Sequence, residues 1–356
     1  MRMRSLAICN LKFEICNLSA ASSRLTLQIS NCKLLIAYHL LLLALALLAI
    51  TPAHASQDNA GSNAGISLRF SPSARSSAMG DAFTAEAKGI AAAHYNPAGL
   101  GWTDKREIGF LYQDIVLDVG EGSLGVAWPL SDHSAWSVLV NYTDFGTTQR
   151  TVVSAGAGAN QGTFTGHDFT VSAAYGAKLA NWGYGATAKV YSSTIDDADA
   201  AAFAADFGLR WKADNSPLSL GLSVRNIGTE VKYDVATERL PIIFRVGAAY
   251  EGWWWGRKDA ERAPFIVTAD FEKIADENWS AKVGAEATLA EMFSMRVGYD
   301  GSVEIDNSDN GATTDRGISG LTFGAGFRST GFEVDYAWTP FGKVGDNHKI
   351  GLNYRF

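Results

Sequence analysis

Residues 347–356 read NHKIGLNYRF and carry the pattern that decides the fold. Large apolar or aromatic side chains stand at every second position: Ile350, Leu352, Tyr354 and Phe356. Small or polar residues fill the positions between them. Because successive side chains of a β-strand point to opposite faces, this period of two predicts a strand with one apolar and one polar face. An amphipathic helix would instead repeat its apolar residues every three to four positions.

The same alternation recurs along the chain from residue 105 to its end. We find about fourteen such segments, at residues 105–114, 122–129, 135–145, 167–179, 182–195, 202–212, 217–227, 239–251, 263–274, 278–289, 292–301, 318–328, 331–338 and 347–356. An even number of alternating strands is typical of a single-chain outer-membrane β-barrel. A soluble β-sandwich or lectin would also alternate, but not with apolar and charged residues on opposite faces of so many strands. The sequence therefore predicts an all-β membrane protein, with an antiparallel barrel over residues 105–356.

The connections of such a barrel alternate between short turns at one end and longer loops at the other. Short turns are predicted at residues 131–134, 180–181, 213–216 and 329–330. Longer outer loops are predicted at residues 146–166, 228–238 and 302–317. Within the first of these, the Gly-, Ala-, Ser- and Thr-rich part 151–166 is expected to be mobile and able to contact a partner. The long connection 252–262 stands where a short one is expected, and its three tryptophans, Trp253 to Trp255, predict an anchor at the membrane interface.

The first 55 residues predict an export signal. An apolar run at 34–50 follows a basic stretch and ends before Ala53-His54-Ala55, the small-residue pattern that precedes a cleavage site at Ser56. An uncleaved membrane anchor is the alternative, because this run is long for a signal core. All three cysteines lie in the segment, which suits export to an oxidising compartment. We expect the outer membrane of a Gram-negative bacterium, with its lipid and the barrel-insertion machinery as partners.

Composition and charge exclude several other classes of protein. The chain has 10 Trp, 12 Tyr and 18 Phe, too many aromatic residues for a disordered protein. Its formal net charge of -7 argues against a nucleic-acid partner, since phosphate binding requires a basic surface. Because no nucleophile or acid–base pair stands out, we expect neither catalytic residues nor a cofactor.

Candidate metal and nucleotide motifs are weak. The histidines beyond the signal segment lack metal-ligand spacing: His94, His133, His167 and His348. Residues 183–188, GYGATA, formally fit a dinucleotide motif but fall inside a predicted strand, where small glycines allow close packing. Residues 306–311 resemble the start of a calcium loop, but Gly317 occupies the place of its closing glutamate. This stretch is expected to be a solvated outer loop, as are Asp196, Asp197 and Asp199.

Charged residues on the polar face of the strands are predicted to point into the barrel. They are Arg225, Arg245, Asp270, Glu272, Lys282, Glu286, Arg296, Asp300, Arg328, Glu333 and Asp335. Their signs are mixed, so we expect them to pair across strands and with the segment before the barrel, through Arg69 and Arg75. A selective ion pore would favour rings of one sign, so a porin is not predicted.

Residues 56–104 do not alternate, and we interpret them as a hatch inside the barrel. The Ala-rich stretch from Thr84 to His94 favours a short helix, which Asn96-Pro97 would end. A barrel of about fourteen strands is too wide for its own side chains to fill, so a segment of this size can occupy the lumen. A loose periplasmic tail is the alternative.

Two short stretches carry a resemblance to known proteins. Its residues in the hatch are Arg69, Arg75, Met79, Gly80, Asn96, Pro97, Ala98, Gly99 and Leu100. They resemble the start of the PorV/PorQ family of outer-membrane proteins, relatives of the FadL-type hydrocarbon transporters. Members of that family often have an acidic pair where this chain has Lys88-Gly89. The terminal Tyr354 and Phe356 resemble the signal that the barrel-insertion machinery reads.

The resemblance implies a barrel of about fourteen strands with an N-terminal hatch. It also implies a non-enzymatic protein that binds exported proteins or components of a type IX-like secretion system. The alternative is a transporter of hydrophobic small molecules, as among the FadL relatives. A sealed, charged lumen would favour protein binding, and an apolar channel that ends at a gap in the wall would favour transport. A hydrolase would require a Ser-His-acid group at one strand end, and the sequence offers none.

Overall fold

The computed structural model describes residues 63–154, 157–212, 216–233, 237–252, 264–275, 277–302, 320–340 and 345–356. Several predicted features lie outside these residues: the signal segment 1–55 with its cleavage site at Ala53, Ala55 and Ser56, the anchor at Trp253 to Trp255, the calcium-like stretch 306–311 and nearly all of the loop 302–317. Of the helices in the described residues, none is long and apolar enough to cross a membrane.

Fourteen antiparallel strands close into a barrel, which confirms the predicted fold. They are β1 (Glu107–Asp114), β2 (Gly120–Ser131), β3 (Ser134–Ser154), β4 (Ala157–Leu179), β5 (Trp182–Ile195), β6 (Ala198–Lys212), β7 (Leu218–Gly228), β10 (Ile243–Gly252), β11 (Phe265–Ile274), β12 (Trp279–Leu289), β13 (Phe293–Asp300), β14 (Leu321–Ser329), β15 (Phe332–Pro340) and β16 (Asp346–Arg355). Two short strands, β8 (Val231–Lys232) and β9 (Thr237–Glu238), form a separate small ribbon between β7 and β10.

The first and last strands close the barrel by pairing with each other. Register pairs join β1 to β16 from Glu107–Arg355 to Asp114–His348. Beyond them, the backbones of Arg106 and Phe356 exchange hydrogen bonds of 3.2 and 3.0 Å. We call this the inner end of the barrel, because short turns and chain termini of outer-membrane barrels face the periplasm. The opposite end is the outer end.

The predicted alternation is realised as an apolar outside and a polar inside. In β1, Gln113 is fully buried in the lumen, whereas its neighbour Tyr112 is 52% exposed on the outer surface. The final strand repeats the pattern, with Lys349 buried inside and Ile350 exposed outside. An apolar outer surface of this kind is stable when lipid hydrocarbon, rather than water, surrounds it.

Three connections at the inner end are short, as predicted. Two-residue turns join β2 to β3, β4 to β5 and β14 to β15, at residues 132–133, 180–181 and 330–331. At the outer end, the connection 229–242 contains the β8–β9 ribbon. The stretch expected to be a loop around Asp196 and Asp197 is a two-residue turn, and Asp199 already belongs to β6.

The prediction of an outer loop at residues 146–166 is wrong, while the mobility expected of residues 151–166 stays a prediction. Strands β3 and β4 continue through it and pair with each other from Thr147–Thr165 to Ser154–Ala157. The content of Gly, Ala and Ser obscured a run of β-branched residues, which favour extended backbone: Thr147, Thr148, Thr151, Val152 and Val153. Residues 145–154 and 157–166 therefore form a two-stranded extension, here called the outer ribbon.

The outer ribbon projects beyond the barrel. Pairing between β2 and β3 reaches Asp144, and pairing between β4 and β5 reaches Gly166. Ten residues of extended chain beyond this level span about 30 Å at the usual rise per residue of a strand. About halfway along it, Arg150 forms an ion pair with Asp196 of the β5–β6 turn.

The segment before β1 contains several short helices, and residues of its own sequence cap or end them. They are a 3-10 turn at Ile66–Arg69, α1 (Ala74–Ser77), α2 (Gly89–Tyr95) and a second 3-10 turn at Pro97–Trp102. The side chain of Ser73 caps α1 by accepting a hydrogen bond from the amide of Ser76. Asn96 adopts an extended backbone after α2, and Pro97 begins the following turn.

The predicted helix from Thr84 to His94 is shorter in the structure, although it ends at Tyr95 as expected. It begins at Gly89, whose φ of 58° lies in the left-handed region. Upstream, the amide of Thr84 and its hydroxyl both donate to Asp270 of β11, at 2.9 and 2.6 Å. These contacts with the wall hold the backbone outside the helical hydrogen-bond ladder.

The hatch, described from residue 63 to residue 104, lies against a wall of inward-facing glycines. At each of them, an added Cβ would lie within about 3 Å of a hatch atom: Gly109, Gly125, Gly176, Gly183, Gly185, Gly208, Gly221, Gly247, Gly284, Gly298 and Gly324. The glycines of the 183–188 stretch thus serve packing, since Gly183 contacts Trp102 and Gly185 contacts Pro97 and Ala98. Close backbone contact on several strands fixes the hatch in place.

Candidate functional site

The motif Asn96–Leu100 holds the hatch against the barrel wall. Asn96, Ala98 and Leu100 are fully buried. The side-chain amide of Asn96 donates to the carbonyl oxygens of Thr84, at 2.9 Å, and of Leu209 in β6, at 3.0 Å. The motif therefore joins two parts of the hatch to one strand.

A second contact joins the hatch to the wall through Asp81. Arg245 of β10 donates to the Asp81 carboxylate at 2.7 Å and to its carbonyl oxygen at 3.1 Å. The hydroxyl of Tyr95 also donates to this carboxylate. Burial alone would raise the pKa of Asp81, but the charges of Arg245 and Lys282 outweigh it and hold the pKa at about 2. Asp81 is therefore ionised at neutral pH.

The predicted lumen charges form a continuous ion-pair network with the hatch. Arg75 of the hatch donates to Glu286 at 2.8 Å and to Glu86 at 3.3 Å. Arg296 pairs with the same Glu286 at 2.6 Å and with Asp335 at 2.7 Å. Because Glu286, Arg296 and Asp335 are buried, removal of one charge would leave its partner unneutralised in a medium of low dielectric.

The remaining predicted lumen charges divide between ion pairs and hatch contacts. The pairs are Arg245–Glu272, Lys282–Asp300 and Arg328–Glu333. Asp270 accepts hydrogen bonds from the amides of Phe83 and Thr84. Arg69, by contrast, pairs with the half-exposed Glu277, which the sequence analysis does not single out.

Arg225 and His94 meet at the centre of the barrel. Arg225 donates to the carbonyl oxygen of Leu68, at 3.1 Å, and to the His94 ring. Burial, reinforced by the charges of Arg225 and Lys189, lowers the pKa of His94 well below its usual value. His94 is therefore neutral at physiological pH and accepts the hydrogen bond.

Several inward residues escaped the sequence prediction. They lie on β4 to β6 and on the last strand: Asp168, Lys189, Tyr191, Asp206, Arg210 and Lys349. The signal that would have found them is the same alternation, because each stands on the polar face of its strand. Lys189 and Asp206 form a buried pair at 2.6 Å.

An apolar cluster occupies the outer end of the lumen. We call it the outer apolar cluster; its buried members are Leu68, Tyr191, Ala200, Ala202, Ala204, Val231 and Leu240, and Ala64 and Tyr233 pack against them. The cluster joins the start of the hatch, the inner faces of β5 and β6, and the connection between β7 and β10. It contrasts with the charged middle of the lumen.

The barrel wall is interrupted next to this cluster. Strands β7 and β10 pair from Leu218–Tyr250 to Arg225–Ile243, and no register pair follows among the described residues. Beyond that point the side-chain amide of Asn226 bridges to the carbonyl oxygen of Pro241 at 2.9 Å. Ile227 and Ile242 are exposed on either side, at 43% and 40%. We call this interruption the β7–β10 split.

Two cavities border the hatch. The larger, of about 290 Å³, mixes charged residues with apolar ones such as Phe83, Ile90 and Leu111. The smaller, of about 120 Å³, is mainly polar and includes Asp300 and Lys349. The apolar residues of the larger cavity belong to the hatch and to the barrel wall.

The structure does not bring the four histidines together in the residues that it describes. His94 is buried in α2, His133 lies in an inner turn, and His167 and His348 lie on different strands. Within the described chain, no three His, Cys, Asp or Glu side chains are arranged to hold a metal ion.

Known structures share this fold. The sequence matches no protein-family model and no curated protein sequence. The chain is similar to a TodX deltaS2S3 mutant, a monoaromatic hydrocarbon channel, with a TM-score of 0.57 and 12% identity over 80% of this chain and 98% of that chain. The chain has the barrel fold of this channel. The Pseudomonas putida toluene transporter TodX has a TM-score of 0.52 and 11% identity over 78% and 95% of the two chains.

A further barrel of this fold is the monoaromatic hydrocarbon channel CymD, with a TM-score of 0.53 and 12% identity over 79% of this chain and 96% of that one. These neighbours are channels or transporters rather than enzymes. At sequence identities near 12%, the similarity to these channels extends to the fold alone. The narrower resemblance to the PorV/PorQ family gains no support from them, because neither the family models nor the solved structures point to it.

Proposed function

We propose that this chain is an outer-membrane channel that admits small hydrophobic molecules. The observation that carries the proposal is the outer apolar cluster beside the β7–β10 split. Val231 and Leu240, which line the cluster, belong to the connection that leaves β7 and enters β10. A hydrophobic molecule could therefore pass between the cluster and the lipid without crossing the charged lumen. The fold that this chain shares with hydrocarbon channels favours the transport of hydrophobic molecules over a role in protein secretion.

The physical basis of the proposal is the free-energy cost of moving an apolar molecule through water or past the charged side chains of the lumen. Apolar surface gains roughly 25 cal/mol for each Å² that leaves water, so such a molecule prefers the cluster to the solvent. The buried ion pairs around Arg296 would offer it no comparable gain. Uptake of a radiolabelled monoaromatic hydrocarbon into proteoliposomes tests the proposal, with protein-free liposomes as the blank. Uptake no faster than the blank would refute it.

A charge at the edge of the split should slow this uptake. Ile242→Lys places an ammonium on a residue that is 40% exposed, so the fold should tolerate it. An apolar molecule would then pass a hydrated charge, and we expect uptake to fall about tenfold, which corresponds to about 1.4 kcal/mol. The matched control is Ile195→Lys, at the outer end of β5 and 43% exposed, away from the split. Equal loss of uptake in both variants would contradict the route.

One observation favours a second candidate, the binding of exported proteins or secretion components. The outer ribbon extends beyond the barrel, and a two-stranded ribbon offers backbone edges to which an extended peptide can pair. Arg150 carries the only charge in residues 145–166, so peptide pairing would depend on the backbone.

Deletion of residues 147–165 separates the two candidates. The barrel should remain folded, because β2 and β5 stay paired with β3 and β4 below the ribbon. If the protein binds exported proteins, crosslinked partners recovered from outer membranes should disappear in the deletion variant, while hydrocarbon uptake persists. Recovery of the same partners from both forms would rule out the ribbon as their binding site.

A further inference from the structure

Asp168 is a buried carboxylate beside the outer apolar cluster. It lies on β4 and is 3% exposed. Its Oδ2 atom accepts hydrogen bonds from the Ser67 hydroxyl at 2.5 Å and from the Tyr191 hydroxyl at 2.8 Å. Tyr191 is itself a member of the cluster, and Ser67 precedes the member Leu68. Asp168 therefore forms the polar border of an otherwise apolar site.

The other oxygen of Asp168 is left without a partner. Oδ1 is buried and accepts no hydrogen bond from the residues that the structure describes. Several other inward acids are neutralised by cations, as Asp206 is by Lys189 at 2.6 Å and Glu286 is by Arg296 at 2.6 Å. Asp168 has hydroxyl donors instead, and an unpaired buried acceptor is costly.

We propose that the outer apolar cluster recognises hydrophobic molecules that carry one hydrogen-bond donor, a hydroxyl or an amine, through Oδ1 of Asp168. This inference rests on the proposed function, because it concerns the selectivity of the same site. The apolar part of such a molecule would contact Leu68, Val231 and the alanines of β6. Its O–H or N–H would satisfy Oδ1, and a hydrogen bond to a charged acceptor is stronger than one between neutral groups.

The same carboxylate should discriminate against two other kinds of hydrophobic molecule. A carboxylic acid is ionised at neutral pH, and its negative charge would be repelled by Asp168 in a site of low dielectric. A plain hydrocarbon or an ether would fit the apolar surface but leave Oδ1 unpaired. A site with a buried polar group rejects analogues that lack the matching group.

Phenol and anisole test this selectivity in the wild-type protein, because the two differ by the O–H that anisole lacks. Equilibrium dialysis against the full-length protein in detergent micelles, corrected by a protein-free micelle blank, gives the two dissociation constants. We expect phenol to bind about tenfold more tightly than anisole, the usual strength of one charge-assisted hydrogen bond. Benzoate should bind more weakly than either. Equal corrected affinities for phenol and anisole would overturn the inference.

Asp168→Asn assigns the preference to this residue. The carboxamide oxygen can still accept from Ser67 and Tyr191, while an NH₂ group replaces Oδ1 and cannot accept. Phenol affinity should fall about tenfold and toluene affinity should stay unchanged. The matched control is Glu121→Gln, since both oxygens of that buried carboxylate already accept hydrogen bonds, from Gln113, Ser123 and Thr143.

The outcomes separate the inference from the proposed function. If Asp168→Asn, with native heat-modifiable electrophoretic mobility, binds phenol as well as wild type does, Oδ1 is satisfied by water and the inference fails. Toluene binding would in that case still support the channel. If wild-type protein binds none of these compounds above the micelle blank, the proposed function fails and the inference fails with it.

Discussion

Arg245→Met is expected to destabilise the protein by about 3–5 kcal/mol, the usual cost of removing one partner from a buried ion pair. Arg245 is 2% exposed and pairs with two carboxylates, Glu272 in the wall and Asp81 in the hatch. Its loss would leave Lys282 as the ion-pair partner that the described residues still offer to Glu272, at 3.4 Å, and to Asp81, at 4.0 Å. Urea unfolding of the protein in detergent micelles, followed by tryptophan fluorescence, measures the change.

The control for this prediction is the same substitution at a partly exposed pair. Arg69→Met removes the contact with Glu277, whose side chains are 27% and 26% exposed. Pairs of this kind contribute about 0–1 kcal/mol, because water solvates both charges and competes with the contact. If Arg69→Met lost as much stability as Arg245→Met, the cost of removing an ion-pair partner would not depend on burial, and the prediction would be wrong.

Gly185→Val should force the hatch away from the barrel wall. A Cβ at this position would lie 2.6 Å from the amide nitrogen of Ala98, and backbone atoms cannot move aside as a flexible side chain can. Overpacking costs roughly 1–3 kcal/mol where side chains can adjust, so a backbone clash should cost at least the upper part of this range. We expect faster proteolysis within residues 63–104, measured by limited digestion and mass spectrometry.

Valine itself favours strands, so the strand is not the source of this effect. Gly122→Val separates the two explanations, because a Cβ on Gly122 of β2 meets nothing within 4 Å. This variant should keep the wild-type digestion pattern and stability. Resistance of the hatch to protease in Gly185→Val would show that the close contact is not required to hold it.

The strands could be predicted from sequence because period two follows from the pleat and needs no knowledge of partners. The prediction for β5, residues 182–195, has the bounds of the observed strand. The outer ribbon was missed for a related reason. It has no lipid-facing side, so its residues 145–166 show no apolar alternation, and their small residues suggested a loop.

The ion pairs of the lumen could not be predicted in the same way. Alternation indicates that a charge points inward, but its partner depends on strand register and on the path of the hatch. Arg75 and Glu286 are 211 residues apart in sequence, and no local pattern links them.

The Asn96–Leu100 motif also has limited predictive value for function. Its buried residues hold the hatch against the wall, so barrels with different cargo can share it.

The pairing of the first strand with the last determines when this protein can fold. Glu107 and Arg355 are in contact although they are 248 residues apart. A contact between such distant residues carries a large loop-closure entropy and forms late in folding. The barrel therefore stays open until β16 reaches β1. Until then its apolar strands are exposed and prone to aggregate.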